Sequence, residues 1–141
     1  YEVMPFDNTL VTLELSGAEL RTIIEEGLAH GRVPQVSGIR MVFDMSRPAM
    51  HRLVALAQAD NEPVDDTYRH YKIVVNNFMA GGGDNYDSLP NSRNLTDTGI
   101  NVRDALERYV VNLAKEHGGA LDYKADGRIR RSGPPSADLP R

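Results

Sequence analysis

Cysteine is absent from the chain, which excludes disulfides, thiolate nucleophiles and cysteine-ligated metals together. Clustered positive charge is absent too. Lys and Arg total 16 against 20 Asp and Glu, the net charge is -4, and the basic residues are scattered. A partner presenting a phosphate backbone is therefore not expected, because nucleic-acid binders gather Lys and Arg on one face. No apolar run approaches the roughly 20 residues of a membrane span. The sequence also holds no G-x-S-x-G elbow, P-loop or dinucleotide fingerprint. Gly81-Gly82-Gly83 lacks the following Lys and Ser/Thr that a phosphate cradle needs. His30, His51, His70 and His117 stand far apart, with neither H-x-H nor H-E-x-x-H spacing. His30 and His117 fall where helices should end, a position that suits partial positive charge. No catalytic residue and no metal ligand is assigned.

What is present is an ordinary globular balance: 141 residues, 40% hydrophobic and 26% charged, enough for one domain with its own core. The chain opens on Tyr1 and runs at once into the strand-like Tyr1-Glu2-Val3-Met4. It is therefore expected to be a piece of a longer protein, and the lack of a leader segment carries no weight.

Val11 to Leu15 alternates with the period of a half-buried strand. Ser16 and Glu19 form a capping box, and Leu20, Ile23, Ile24 and Leu28 then line one helical face up to Gly31. Residues 35–44 read as a strand interrupted by a glycine, and residues 51–57 as another beyond a turn at Ser46-Arg47-Pro48. Tyr71 to Val75 is the strongest strand. The polar stretch Asp84 to Thr98 has too few apolar residues for an element and is expected to be a long surface loop. A last helix starts at Asn101, carries Val102, Ala105, Leu106, Tyr109, Val110, Leu113 and Ala114 as one apolar stripe, and stops at Gly118-Gly119. A short strand is expected at residues 127–130. Together these elements predict an α+β fold, a mixed β-sheet with flanking helices. The domain should span residues 1–131, with a flexible Pro-rich tail at 132–141.

The segment Asn76 to Tyr86 offers two readings. It can be a strand end with a glycine turn, Phe78 in the core and Asp84 a turn residue. It can also be a ligand site. Glycines permit close backbone approach, Phe78 offers a stacking face, and the Asp84 carboxylate can accept from vicinal hydroxyls such as those of a ribose. Pro5-Phe6-Asp7-Asn8-Thr9 is open in the same way: a buried Phe with an Asx turn, or a second aromatic wall.

Read together, these segments resemble the C-terminal domain of the 5'-nucleotidase family, which includes bacterial UDP-sugar hydrolases and animal ecto-5'-nucleotidase. The matching motifs stand in order. They are Met4-Pro5-Phe6-Asp7-Asn8-Thr9, then Leu15-Ser16-Gly17-Ala18-Glu19-Leu20, then Gln35-Val36-Ser37-Gly38-Ile39. Phe43-Asp44-Met45-Ser46-Arg47-Pro48 follows, then Asn77 to Tyr86 with its F-x-A-x-G-G-D core, and finally Gly127-Arg128-Ile129.

The resemblance implies that Phe6 and Phe78 sandwich a nucleotide base, that Asp84 bonds the ribose hydroxyls, and that Asn8 and Gly38 lie at the base. It implies no cofactor in this chain. Two divalent metal ions belong instead to an N-terminal metallophosphatase domain of the same protein, whose D-x-H, N-H-D/E and H-x-H patterns have no counterpart here. Members act on 5'-nucleotides, 2',3'-cyclic nucleotides or nucleotide sugars, and an extracytoplasmic location is expected by resemblance alone. Asn94-Leu95-Thr96 is a glycosylation sequon.

Two departures stand out. The family's phosphate-binding arginines precede the Pro-Phe motif and lie outside this chain, and the usual Gly-Asp-Gly is Gly83-Asp84-Asn85. Asn tolerates positive φ, so the turn is expected to survive. The alternative is a non-catalytic structural or surface-interaction domain with a vestigial nucleotide slot.

Overall fold

The computed structural model describes Met4, residues 6–119 and residues 124–133. The expected tail, from residue 134 onward, lies outside the described residues. Strand β1 (Thr9–Ser16) buries Val11, Leu13 and Leu15 and turns the intervening residues outward, as its alternation requires. Ser16 then caps α1 (Gly17–Ala29). Its hydroxyl accepts from Glu19 N–H at 3.2 Å, and the Glu19 carboxylate accepts from Ser16 N–H at 2.7 Å. The capping box is complete.

Strands β2 (Ile39–Phe43) and β3 (Leu53–Gln58) pair antiparallel. Strand β4 (His70–Asn76) runs into a single helical turn, α2 (Asn77–Ala80). Two 3-10 turns, Gly83–Asn85 and Leu89–Asn91, lead to strand β5 (Arg93–Asn101). The chain continues through α3 (Val102–Glu116) to strand β6 (Ile129–Arg131).

These strands form two sheets. The first has the order β4-β1-β5, antiparallel throughout, with Leu13 opposite Ile73 and Leu15 opposite Tyr71. The second has the order β3-β2-β6 and is mixed, because β6 joins β2 in parallel with Met41 opposite Ile129. Helix α1 packs against both, touching β1 and β3. Its Leu20, Ile23, Ile24 and Leu28 meet Leu13 and Leu15 from one sheet and Met41, Phe43 and Leu56 from the other. One fixed tie joins helix to sheet: the buried Glu25 carboxylate accepts from the N–H groups of Arg52 at 3.0 Å and Leu53 at 2.6 Å. His30 and His117 are the C-caps of α1 and α3.

One expectation is corrected. Residues 84–98 are not a long loop, since they hold two 3-10 turns and most of β5. That strand is exposed on both faces, so it lacks the burial alternation that reveals strands in sequence. Its side chains bond β1 instead: Thr9 Oγ1 donates to Asp97 Oδ2 at 2.8 Å, and Thr98 Oγ1 to Leu10 O at 2.8 Å. Helix α3 lies where the sequence places it. The helix forms with Asn101 as its cap, yet none of its residues is buried, and Leu106 and Tyr109 of the apolar stripe face solvent.

Candidate functional site

The end of β4 builds half of the site. Asn76 Oδ1 accepts from Met79 N–H at 2.8 Å and caps α2, so the strand turns sharply into a helical turn that presents Phe78. Gly82 follows at φ 89, a conformation that favours glycine. Asp84 and Asn85 then take φ 59 and 67, both left-handed. Asn85 thus keeps the turn that a glycine makes elsewhere in the family pattern. The Phe78 ring folds over Gly83, where a β-carbon would stand 2.5 Å from Phe78 Cε1. Phe78 is 55% exposed, which excludes the core reading of this segment.

The other half comes from the residues before β1. The β1–β4 register puts Leu10 opposite Asn76, so the chain entering β1 runs beside α2. Thr9 N–H donates to Asn77 Oδ1 at 3.3 Å, and the Asn8 carbonyl accepts from Val102 N–H at 2.8 Å. From the first turn of α3, Arg103 Nη2 donates to the carbonyls of Met4 at 3.3 Å and Phe6 at 3.5 Å, and to Asp7 Oδ1 at 2.9 Å. Phe6 is 71% exposed. The structure thus brings Phe6, Asn8, Phe78 and Asp84 to one end of the first sheet. Gly38 does not join them through any hydrogen bond among the described residues. It opens β2 at φ 80, and its carbonyl accepts from Ala59 N–H at 3.0 Å in the second sheet.

Asp84 sits against the far end of α1. Arg32 pairs with its carboxylate, and Arg32 Nη1 also donates to the Asp84 carbonyl at 3.2 Å. Nearby, Ser88 N–H donates to Glu26 Oε1 at 3.2 Å. Tyr86 is buried beside Gly27, and burial, reinforced by the negative charge of Asp84, pushes its phenol pKa up. Sequence reasoning missed Arg32, Arg103 and Asn77. Arg32 carried one signal, its place directly after the helix-ending Gly31, but its target became visible only in the fold.

Fold and side chains together define an α+β domain that exposes two phenylalanines and the Asp84 carboxylate. Residues 1–91 match the family described as 5'-nucleotidase, C-terminal domain. The chain belongs to that family. The trifunctional nucleotide phosphoesterase protein of Bacillus subtilis is 31% identical over 139 residues, which cover 91% of this chain and 9% of that protein. A snake venom 5'-nucleotidase from Gloydius brevicauda is 36% identical over 98 residues, covering 62% of this chain and 17% of that one. Among solved structures, the 5'-nucleotidase precursor from Thermus thermophilus superposes with a TM-score of 0.84 at 35% identity. The match covers 96% of this chain and 27% of that one. The chain thus spans between about a tenth and about a quarter of the length of these relatives.

Proposed function

We propose that this chain is the substrate-recognition domain of a metal-dependent 5'-nucleotidase-type phosphohydrolase. In this reading Phe6 and Phe78 stack the nucleotide base, Asp84 accepts hydrogen bonds from the ribose hydroxyls, and Asn8 and Gly38 lie at the base. The carrying observation is the exposure of Phe6 and Phe78. The chain has three phenylalanines, and two of them stand in solvent at the same sheet end, beside an exposed carboxylate on a left-handed turn. Each stacked face contributes about 1–3 kcal/mol and accepts any base. The carboxylate adds a polar anchor, as small-molecule sites require.

Among the described residues no three His, Asp or Glu side chains gather where they could hold a metal ion. In this reading the two divalent ions of the proposed enzyme belong to an N-terminal metallophosphatase domain of the same polypeptide. This chain's part is to hold the leaving nucleoside in place, a positioning effect. The venom relative supports a location outside the cytoplasm. No helix among the described residues is long and apolar enough to cross a membrane.

The test is a calorimetric or NMR titration with adenosine and AMP, run on the chain and on its Phe78→Ala variant. Binding near the millimolar range is expected, and it should vanish in the variant. Binding that survives loss of Phe78, or no binding even in the full-length protein, would overturn the reading.

A further inference from the structure

We propose that Arg32 is a positioning residue for the ribose contact, holding the Asp84 carboxylate in the orientation that receives the hydroxyls. The inference rests on the nucleoside reading above and names a residue which that reading does not use.

The argument begins at the end of α1. Gly31 adopts φ 77, and the N–H groups of Gly31 and Arg32 donate back to the carbonyls of Leu28 at 3.1 Å and Gly27 at 3.0 Å. This is the glycine-terminated helix end in which the following residue is folded back beside the last turn. Arg32 is that residue, so the direction in which its side chain leaves is set by the backbone. One guanidinium nitrogen, Nη1, serves both the carboxylate and the carbonyl of Asp84. A contact to both groups of one residue fixes the backbone and the side chain together.

Asp84 needs such fixing. Its φ of 59 lies in the left-handed region, between Gly82 at 89 and Asn85 at 67. Outside glycine that conformation is sparsely populated and persists where surroundings enforce it. The surroundings here come from α1 at three successive points. Glu26 accepts from the N–H of Ser88, the Tyr86 phenol fills the space left by Gly27, and Arg32 holds Asp84. Stability does not explain the third point, because the Arg32 and Asp84 side chains are 50% and 48% exposed, and exposed ion pairs add little. The pair engages Asp84 Oδ1, while the Asp84 side chain stays 48% exposed and so open to a ligand hydroxyl. Arg32 thus holds the carboxylate without covering it.

The test compares adenosine with 2',3'-dideoxyadenosine, which offers the same base and no vicinal hydroxyls. Wild-type chain should prefer adenosine. Arg32→Ala should weaken adenosine binding about tenfold, leave dideoxyadenosine binding unchanged, and melt close to wild type. Arg32→Lys should restore part of the preference. Asp84→Asn should lose the same preference, with no further loss when combined with Arg32→Ala. If Arg32→Ala weakens both ligands equally, or neither, the positioning role is wrong while the nucleoside reading stands. If wild type binds both ligands equally, the ribose contact itself is wrong and the inference falls with it. If neither the wild-type chain nor the full-length protein binds either ligand, the nucleoside reading fails, and this inference with it.

Discussion

The ring of Phe78 lies over Gly83 so closely that a β-carbon there would stand 2.5 Å from Cε1 and 2.6 Å from Cδ1 and Cζ. Gly83 is not among the left-handed glycines, so an alanine meets no backbone strain and acts through this contact alone. Gly83→Ala should swing the ring aside and weaken adenosine binding about tenfold, the loss of one stacked face. Unfolding in urea should scarcely change, since the ring is half exposed. Unchanged affinity would mean that this ring position does not matter to the ligand.

A second glycine should act on stability instead. A β-carbon at Gly17 would sit 2.8 Å from Val64 Cγ1 and 2.7 Å from the carbonyl carbon of Asp65. Alanine normally favours a helix over glycine by about 1 kcal/mol. Here the clash is with main chain, which cannot rotate away, and overpacking of this kind costs about 1–3 kcal/mol or more. Gly17→Ala is expected to lose about 2 kcal/mol in urea unfolding. A variant as stable as wild type would refute the contact.

Glu25 provides a third test. Its buried carboxylate satisfies two backbone N–H groups where β3 begins. Glu25→Ala strands both donors and should cost about 2–4 kcal/mol. Glu25→Gln keeps one acceptor oxygen and should recover part of that. A loss below about 1 kcal/mol in the alanine variant would show that the tie can be replaced by solvent.

Acid should destabilise the fold through carboxylates held by partners. The Arg128 side chain and N–H bond Asp126 and depress its pKa from 3.8 to about 2. Glu19, Asp44, Asp65 and Asp97 are lowered as well, Glu19 chiefly by the Ser16 N–H and Asp44 chiefly by the Ser46 hydroxyl. Groups with depressed folded-state pKa values contribute stability that is fully present above their unfolded values. That contribution drains away as pH falls toward the folded ones. Melting temperature should therefore decline from about pH 5 down to pH 2. Asp126→Asn should lie below wild type at pH 7 and converge with it in acid. Parallel curves would contradict the assignment.

The parts of this fold that could be read in the sequence are those where one local rule decides. Ser16 and Glu19 specify a cap within four residues, and the alternation of β1 specifies its buried face. Strand β5 escaped because its partners are distant: Asn94 Nδ2 donates to Glu14 at 2.9 Å, and the Thr98 hydroxyl bonds the Leu10 carbonyl of β1 rather than a core. The stripe on α3 predicted the helix and not its surroundings, since periodicity reports a face without saying what meets it. In the proposed site, Phe6, Phe78 and Asp84 were named by family pattern. Arg32 was not, because an ion pair spanning 52 positions has no local trace.

The bends in β5 bear on a different property. Among the described strands it forms one rim of the first sheet, and its backbone turns left-handed at Asn94 and again at Gly99. Fibre growth needs a straight rim whose open N–H and C=O groups can be copied by the next molecule. On this side, molecules crowded together in a concentrated solution meet a rim that veers away twice. They can collide there without templating one another.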